Sequence, residues 1–189
     1  MKKTITFVLI LSLLFTANAQ KNTHCLITTS LGEITVELFD HKAPATVANF
    51  LAYVSSDSYT NSSFFRTCTP ENEAERDIKI EVIQGGNVSK EHQRSPIKIE
   101  TTEMTGVFHK NGAISMARGA PDSATSSFFI CINDQPELDY KGKRNPDGQG
   151  FAAFGMVIKG MDIVLKIQEQ KEKNQYLIDP IVIHSIKVQ

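Results

Sequence analysis

The chain is organised around residues 111–132, NGAISMARGAPDSATSSFFICI. Two short apolar runs, residues 113–117 and 127–132, are separated by a segment rich in Gly, Ala, Pro, Asp and Ser. Apolar runs of this length that are joined by turn-forming residues predict two β-strands with a loop between them. We therefore expect a strand–loop–strand unit at the centre of the fold.

The first of these strands has one face of small residues. Ala113, Ser115 and Ala117 alternate with Ile114 and Met116. Because successive side chains of a strand point to opposite faces, the three small residues lie together. Such a face allows another backbone or a ligand to approach closely.

The second strand carries two adjacent aromatic residues, Phe128 and Phe129. Since neighbouring side chains of a strand lie on opposite faces, one ring can enter a core while the other faces outward. An outward Phe beside small residues is either covered by another element or forms the wall of an apolar pocket. The residues alone leave these two alternatives open.

Three ordered motifs resemble those of the cyclophilins, a family of peptidyl-prolyl cis/trans isomerases. The central stretch contains SMA-x-x-x-P and S-x-FFIC, which are similar to the family's central signature. SYTNSSFFR, residues 58–66, resembles the segment that carries the family's catalytic Arg, and VIQGGN, residues 82–87, resembles its Gln-Gly-Gly strand. The resemblance extends over residues 27–188 and implies a prolyl isomerase that acts on Pro-containing polypeptides.

The rest of the chain predicts short strands and two helices. Residues 25–29 and 33–38 predict a hairpin, a helix is expected to begin at Pro44, and a weaker helical pattern follows Gly160. Further strands are expected at residues 64–68, 78–84, 152–158 and 181–188. The resemblance implies a mainly β fold, a closed eight-stranded antiparallel β-barrel with two capping α-helices, whereas periodicity alone would also allow a sandwich.

Two segments are interpreted as insertions relative to the family. Residues 69–77, TPENEAERD, are acidic, and we expect a mobile surface excursion beside the site. Residues 140–150, YKGKRNPDGQG, are rich in Gly and charge and predict a surface loop. Shortening the first insertion is expected to change substrate preference more than stability.

The first nineteen residues have the pattern of a secretory signal peptide. Lys2 and Lys3 precede an apolar run over residues 5–15 that is too short to span a bilayer, and residues 17–19, Ala-Asn-Ala, match a cleavage site. A buried N-terminal helix is the alternative. The pattern predicts a bacterial protein that is periplasmic or secreted. The remaining length predicts a single domain over residues 20–189, and a monomer is expected.

Composition argues against several kinds of partner. Without Lys2 and Lys3 the formal net charge falls from −1 to −3, and no basic run stands out, which argues against nucleic acid. No second apolar run is long enough to span a membrane. The five His residues show no ligand spacing, so neither a metal site nor a cofactor is expected.

The chain has three cysteines, which permit at most one internal disulfide. Cys131 lies within an apolar strand and is interpreted as a small core residue. Cys25 and Cys68 could pair in an oxidising compartment, but the sequence does not define their geometry. Their state is left open.

Rotation about an X–Pro bond needs neither a nucleophile nor a metal. Its barrier is about 18–20 kcal/mol because amide resonance must be broken, and uncatalysed exchange takes about tens to hundreds of seconds. The site must bind the twisted amide more tightly than either planar form. Because the prolyl nitrogen becomes a better acceptor as it pyramidalises, a fixed cationic donor aimed at it stabilises the transition state selectively.

Arg66 and Gln84 are the predicted catalytic residues. Arg66 is always charged and carries a rigid fork of donors, although composition alone would favour a surface ion pair. Gln84 precedes Gly85-Gly86, and a Gln in an apolar strand needs hydrogen-bond partners. The resemblance implies that Gln84 orients the Arg and the substrate carbonyl, with a satisfied core Gln as the alternative.

The resemblance also assigns residues that bind the substrate. Some fall in the family's proline-ring pocket, others on the strand that pairs with the bound peptide backbone, which resembles β-augmentation. The predicted set is Val82, Phe129, Leu138 and Phe151 in the pocket, Ala117 and Arg118 on the pairing strand, and Phe64, Phe65 and Ser127 beside them.

The sequence departs from the family pattern at five positions. Phe65 and Phe151 each replace a His, and Ser127 replaces a substrate-binding Gln. Glu81 stands where an aromatic residue commonly lines the pocket, and Glu137 where cyclosporin-sensitive relatives carry Trp. Ser127 and Glu81 favour a second function, a non-catalytic module that holds Pro-containing peptides. A third hypothesis is an unrelated small-ligand β-barrel.

Overall fold

The structure, a computed structural model, describes residues 21–189, and the signal peptide expected at residues 1–19 lies outside them. Within the described residues the chain forms nine β-strands and three α-helices. The strands are β1 (Thr23–Thr29), β2 (Gly32–Leu38), β3 (Ser62–Cys68), β4 (Val82–Gly85), β5 (Ala113–Met116), β6 (Phe128–Cys131), β7 (Ala152–Lys159), β8 (Glu172–Lys173) and β9 (Tyr176–Val188). The helices are α1 (Pro44–Ser55), α2 (Thr102–Thr105) and α3 (Met161–Gln168).

Eight of the strands close into a barrel. Their order is β1-β2-β7-β5-β6-β4-β3-β9, every pairing is antiparallel, and β1 pairs with β9 to complete the circle. The two-residue strand β8 pairs with β9 beyond that circle. The predicted closed eight-stranded barrel is confirmed, with α1 and α3 as the predicted helices and α2 as one further turn. Over residues 21–189, no helix has the length and apolar character needed to cross a membrane.

The two faces of the central strands support two separate apolar clusters. Phe128 and its strand neighbour Ile130 join the main core, which also takes Ile114 and Met116 from β5. Phe129 instead joins a smaller cluster on the outer face of the barrel, together with Cys68, Ile80, Val82, Ala113, Cys131 and Leu138. The predicted division of the two adjacent rings between core and pocket wall therefore has a structural basis, because each face is covered by different elements.

A β-bulge in β3 separates Phe64 from Arg66. Phe64 pairs with Gly85 and Arg66 with Gln84, so Phe65 is an extra residue without its own partner on β4. Without the bulge, residues two positions apart would share a face. Phe64 is instead fully buried in the main core, with its ring 5.8 Å from that of Phe128. The prediction that Phe64 binds substrate is therefore wrong.

The last strand starts earlier than predicted. β8 and β9 form a hairpin whose turn residues, Asn174 and Gln175, have φ of 54° and 72°. Pro180 is accommodated because the β3–β9 ladder is irregular between Ile181 and Tyr176, where no regular backbone donor is required. The sequence around this hairpin is polar and lacks a strong period of two, which is why the strand was expected only from residue 181.

The acidic insertion at residues 69–77 is anchored, which corrects the prediction of a mobile excursion. Its flanking acidic residues are exposed, but Glu73 is only 2% exposed. The Glu73 carboxylate binds the Arg144 guanidinium, with Nη1 to Oε2 at 2.8 Å, and accepts a hydrogen bond from the Ile80 N–H at 2.9 Å. Arg144 belongs to the loop at residues 140–150, so the two insertions hold each other in place.

All three cysteines are free thiols buried in the protein. Cys25 lies in the main core, whereas Cys68 and Cys131 belong to the outer cluster. Burial raises the pKa of Cys25 to about 12 and that of Cys68 to about 11. The pairing of Cys25 with Cys68 that the sequence left open is not formed, and Cys131 is buried among apolar residues, as predicted.

Candidate active site

A cavity of about 260 Å³ opens on the outer face of the barrel. It is lined by Arg66, Arg76, Ile80, Val82, Gln84, Ala117, Arg118, Phe129, Leu138, Arg144, Asn145 and Phe151. All but three of the predicted site residues are in this lining, the exceptions being Phe64, Phe65 and Ser127. Residues that are distant in sequence are thus brought to one place by the strand order.

Strand register places the polar and aromatic groups of the cavity side by side. Arg66 on β3 lies opposite Gln84 on β4, and Gln84 lies opposite Phe129 on β6. Phe129 in turn lies opposite Ser115 on β5. Because side chains of paired residues project from the same face, the cationic group and the aromatic wall meet across adjacent strands.

The Arg66 guanidinium is held by two neutral amides. Its Nη1 donates to Gln84 Oε1 at 2.9 Å, while Nε and Nη2 donate to Gln175 Oε1 at 3.1 and 2.6 Å. Three of its five N–H groups are engaged in this way. Among the described residues no carboxylate forms a salt bridge with it, so its positive charge is not neutralised locally.

Gly86 allows β4 to end close beside this site. Its φ is 78°, in the left-handed region that favours glycine, and a Cβ there would lie 2.8 Å from the Phe128 ring. Any side chain would therefore force the core ring or the strand to move. Glycine is therefore required at the end of the Gln-Gly-Gly motif for steric reasons. The motif places Gln84 at the cavity, and the chain turns away directly after it.

The apolar wall of the cavity is built around the Phe129 ring. Phe129 is 5% exposed, and Phe151 meets it edge-on with ring centroids 5.3 Å apart and an interplanar angle of 88°. Val82 and Leu138, both buried, complete the apolar surface. A pocket with this lining suits a proline ring, which is compact and apolar.

A buried hydrogen-bonded chain supports that wall from behind. The His109 ring is stacked on Phe129 with centroids 5.9 Å apart. Its Nδ1 lies 2.7 Å from Asp139 Oδ1 and its Nε2 lies 2.9 Å from Ser115 Oγ. Asp139 follows Leu138 directly, so the chain fixes both pocket residues. This role was not predicted, because the spacing of the His residues in the sequence bears only on metal ligation.

Metal ligation has no candidate site in residues 21–189, where no group of three or more His, Cys, Asp and Glu side chains could hold a metal ion. The Ser115–His109–Asp139 arrangement also differs from a catalytic triad in function. Ser115 is 0% exposed and His109 is 1% exposed, so neither can reach a substrate. Ser115, His109 and Asp139 therefore support the pocket wall and take no part in the chemistry.

We expect Phe129→Ala to weaken both the fold and peptide binding. Removal of a buried Phe ring costs about 3–5 kcal/mol, and the lower end applies here because the ring already borders an open cavity. Thermal unfolding and peptide titration would measure the two effects. Phe108→Ala is a suitable control, since Phe108 is 51% exposed and lies outside the cavity lining. A Phe129 variant that melts and binds like the wild type would exclude both roles.

The Arg118 side chain braces the cavity rather than facing it freely. Its Nη1 and Nη2 each lie 2.8 Å from an Asp147 carboxylate oxygen, and its Nε donates to the Gly150 carbonyl at 2.7 Å. The guanidinium also lies over the Phe151 ring at 5.2 Å. Hydrogen bonding by Arg118 lowers the pKa of Asp147. These contacts position Phe151. The sequence predicted only that Arg118 lies on the strand that pairs with the peptide backbone, so this supporting role was not expected.

The other predicted substrate contacts lie outside the lining. Phe65 is half-buried and stacks on Tyr176 with centroids 6.4 Å apart. The Ser127 hydroxyl lies 3.5 Å from the Gly86 carbonyl oxygen, and the Ser127 carbonyl accepts a hydrogen bond from the Ala117 N–H. Glu81, expected at an aromatic pocket position, binds Asn133 Nδ2 at 3.2 Å and does not line the cavity.

Several polar residues of the site were not predicted from the sequence. They are Gln175, which holds Arg66, and Arg76, Arg144 and Asn145, which line the cavity together with Ile80. Each comes from an insertion or from the unrecognised β8–β9 hairpin. The only available signal was the Asn174-Gln175 pair, which is a weak turn pattern because its second residue is not Gly.

Comparison with known proteins identifies the family. The sequence model of the family described as cyclophilin type peptidyl-prolyl cis-trans isomerase/CLD matches residues 24–188. The chain belongs to this family. Cyclophilin membership confirms the recognition based on three motifs and the isomerase function predicted from them. It also excludes the hypothesis of an unrelated small-ligand barrel.

Relatives with the same described activity cover most of the chain. Peptidyl-prolyl cis-trans isomerase A of Dickeya dadantii (strain 3937) is 38% identical over 180 residues, which are 90% of this chain and 86% of the relative. Peptidyl-prolyl cis-trans isomerase B of Escherichia coli (strain K12) is 37% identical over 145 residues, or 74% and 80% of the two chains. A crystal structure of a Cryptosporidium parvum cyclophilin superposes with a TM-score of 0.72 at 23% identity, covers 89% of this chain and 98% of that one, and so supports the cyclophilin fold.

Proposed function

We propose that this cyclophilin accelerates X–Pro rotation in folding polypeptides through Arg66. The observation that carries the proposal is the orientation of its guanidinium, which two amide oxygens hold at the edge of an apolar cavity. With three N–H groups engaged, two remain to donate to a substrate. A donor aimed at the pyramidal prolyl nitrogen stabilises the twisted amide more than either planar form.

The cavity supplies the other parts of the mechanism. Phe129, Leu138 and Val82 hold the proline ring, so that the rest of the peptide rotates about a fixed end. Gln84 binds Arg66 and can donate its amide N–H groups to the substrate carbonyl. A turnover on the millisecond scale requires about 10⁵-fold acceleration, or about 7 kcal/mol from the barrier, which is within the range of positioned electrostatic groups.

The proposed substrates are Pro-containing segments of unfolded chains. The apolar wall suits a proline ring, and the adjoining Ala117 leaves room for extended backbone to approach. A Cryptosporidium parvum cyclophilin, which has this fold at 23% identity, was crystallised in the presence of the dipeptide Ala-Pro. That observation concerns the neighbouring protein, and a Pro-containing dipeptide is the kind of ligand that the apolar wall of this cavity suits.

A protease-coupled assay on a short X-Pro peptide tests the proposal against its alternative. The proposed isomerase should accelerate conversion of the cis fraction in proportion to enzyme concentration. A non-catalytic binding module would hold the peptide, detected by titration, without changing the rate. Exchange between cis and trans signals in NMR spectra provides the same test without a protease. Binding without acceleration would replace the first function by the second.

We propose that the protein acts as a periplasmic or secreted monomer. The support is the signal-like pattern of residues 1–19 and a barrel without an unpaired long strand in the described region. Mass spectrometry of protein recovered from the periplasmic fraction should give an N-terminus near Gln20, and size-exclusion chromatography should give a single-chain mass. An intact N-terminus in the cytoplasm would contradict the location.

Activity should resist cyclosporin, the cyclic peptide inhibitor of many cyclophilins. In sensitive relatives a Trp before the Leu-Asp pair donates its indole N–H to the drug, whereas this chain has Glu137 there and contains no Trp. The Glu137 carboxylate accepts a hydrogen bond from the Lys143 N–H at 2.8 Å and offers no aromatic face. Loss of one hydrogen bond and one aromatic contact should weaken inhibition by about tenfold to a few hundredfold.

An inhibition curve of the purified enzyme measures this resistance. Glu137→Trp is the matched variant, and it should shift the curve towards lower drug concentration while basal turnover stays measurable. A half-inhibitory concentration in the low nanomolar range for the wild type would overturn the prediction. Another aromatic residue, such as Phe151, would then supply the contact.

A further inference from the structure

Gln175 occupies a turn position that ordinarily favours a different residue. Asn174 and Gln175 connect β8 to β9 as a two-residue turn, and both have positive φ. Such turns favour Asn-Gly, because glycine has no Cβ to strain in the left-handed region. A Gln with φ of 72° is therefore less favourable for the backbone than Gly would be. The contacts of the Gln175 side chain compensate for this backbone conformation.

Every polar atom of Gln175 has a partner. Its backbone carbonyl accepts from the Thr67 N–H at 2.8 Å, and its N–H donates to the Glu172 carboxylate. Its side-chain Nε2 donates to Glu73 Oε1 at 3.1 Å, and its Oε1 accepts from Arg66. Hydrogen bonds therefore fix both the backbone of Gln175 and the nitrogen and oxygen of its side-chain amide.

The Glu73 carboxylate determines which way the amide faces. A carboxylate only accepts hydrogen bonds, so the Gln175 nitrogen must point to Glu73 and the oxygen must point to Arg66. Three donors then converge on that oxygen, namely Arg66 Nε, Arg66 Nη2 and the Cys68 thiol at 3.7 Å. Arg144 binds the same carboxylate, so the orientation extends back into the loop at residues 140–150.

We propose that Gln175 is a positioning residue for catalysis, which orients the Arg66 guanidinium from the side opposite Gln84. The inference rests on the proposed role of Arg66 in X–Pro isomerisation. Gln84 binds one end of the guanidinium, while Gln175 binds the edge formed by Nε and Nη2, so the plane of the group is fixed. Both partners are neutral, and therefore the orientation is achieved without compensating the charge that the transition state uses.

Gln175→Gly separates this role from a structural one. Glycine suits the turn better than Gln, which offsets the loss of the Glu73 hydrogen bond, so the hairpin should stay folded while the contact with Arg66 is lost. We expect kcat to fall about tenfold to a hundredfold with little change in KM, because orientation is lost and pocket contacts are kept. Gln175→Asn is the second variant, since Asn tolerates positive φ but is one methylene too short to reach both N–H groups.

Asn174→Gly is the matched control. It changes the neighbouring residue of the same turn, has no contact with Arg66, and should leave kcat and KM within twofold of the wild type. Activity would be measured by exchange NMR spectroscopy on an X-Pro peptide, and stability by thermal unfolding. In the Arg66→Ala background, Gln175→Gly should have no further effect on kcat, since Gln175 acts through Arg66.

Three results would overturn the proposal. The first is retention of kcat within twofold in both Gln175 variants. The second is an equal fall in kcat for Gln175→Gly with and without Arg66, and the third is a rise in KM at constant kcat, which would make Gln175 a substrate-binding residue. An Arg66→Ala variant with normal turnover would instead overturn the proposed mechanism, so the two failures can be distinguished.

Discussion

Arg66→Ala should lower kcat/KM for X-Pro peptides by about 10²–10³ while the protein remains folded. Loss of one preorganised donor to developing charge costs about 2.7–4 kcal/mol of transition-state stabilisation. The half-buried Arg66 side chain lies at the cavity edge and has no carboxylate partner among the described residues, so its removal leaves no buried anion unpaired. Gln84 and Gln175 lose a donor, but Gln84 lines the open cavity and Gln175 is half-buried, so water can replace it.

A protease-coupled assay and a thermal unfolding curve of the same preparation measure the two expectations together. Lys166→Ala is the control, because the Lys166 side chain is 57% exposed on α3 and lies outside the cavity lining. Its activity should stay within a few-fold of the wild type. Turnover of the Arg66 variant within threefold of the wild type would show that Arg66 is not the catalytic group.

The elements that were predicted correctly are those fixed by local pattern. Alternation predicted opposite faces for Ala113 and Ile114 on β5 and for Phe128 and Phe129 on β6, and the structure places the members of each pair in different clusters. Pro44 was predicted to begin a helix, and α1 begins there. These features depend on side-chain periodicity and backbone restriction over a few residues, and a single sequence contains that information.

Features that depend on one extra residue were predicted less well. The resemblance placed Phe64 beside the substrate, whereas the bulge at Phe65 directs the Phe64 side chain into the main core. A bulge changes the face of every following residue, yet it arises from register with β4 and β9 rather than from the residues of β3 alone. Sequence periodicity contains no signal for it.

Contacts made by the two insertions and by the β8–β9 hairpin were not predictable from the sequence. Glu73 and Arg144 are 71 positions apart, and Arg66 and Gln175 are 109 positions apart. Each residue alone is typical of an exposed, charged or polar segment, so the composition of residues 69–77 favoured a mobile loop. Burial of Glu73 follows from its partner, since a buried carboxylate is tolerated only when it is paired and hydrogen-bonded.

This pairing makes Glu73 a strong determinant of stability, contrary to what the acidic segment suggested. Its side chain is 0% exposed and that of Arg144 is 8% exposed. Glu73→Gln should lower the free energy of unfolding by about 3–5 kcal/mol, because a buried Arg144 is left without its counter-charge. For a domain of this size the melting temperature should fall by about 10 °C.

The matched control is Glu75→Gln, which removes an exposed carboxylate from the same segment and should leave the melting temperature unchanged. Combining Glu73→Leu with Arg144→Met should cost less than the sum of the single changes, since replacing both partners leaves no unpaired charge. Equal melting temperatures for Glu73→Gln and the wild type would show that the segment is the mobile excursion that its composition suggested.

Acid should remove the same contribution. Burial alone would raise the pKa of Glu73, but hydrogen bonds from Arg144 and the Ile80 N–H and the charges of Arg144 and Arg76 outweigh it, so the pKa is lowered from its ordinary value of 4.5. Since the pKa is lower in the folded state, the stabilisation is complete above pH 4.5 and is lost as the pH falls through the lowered value. The difference in unfolding free energy between the wild type and Glu73→Gln should therefore be constant near neutral pH and shrink towards zero in acid. A difference that stays constant down to the most acidic pH at which both proteins fold would show that the Glu73 charge is not its source.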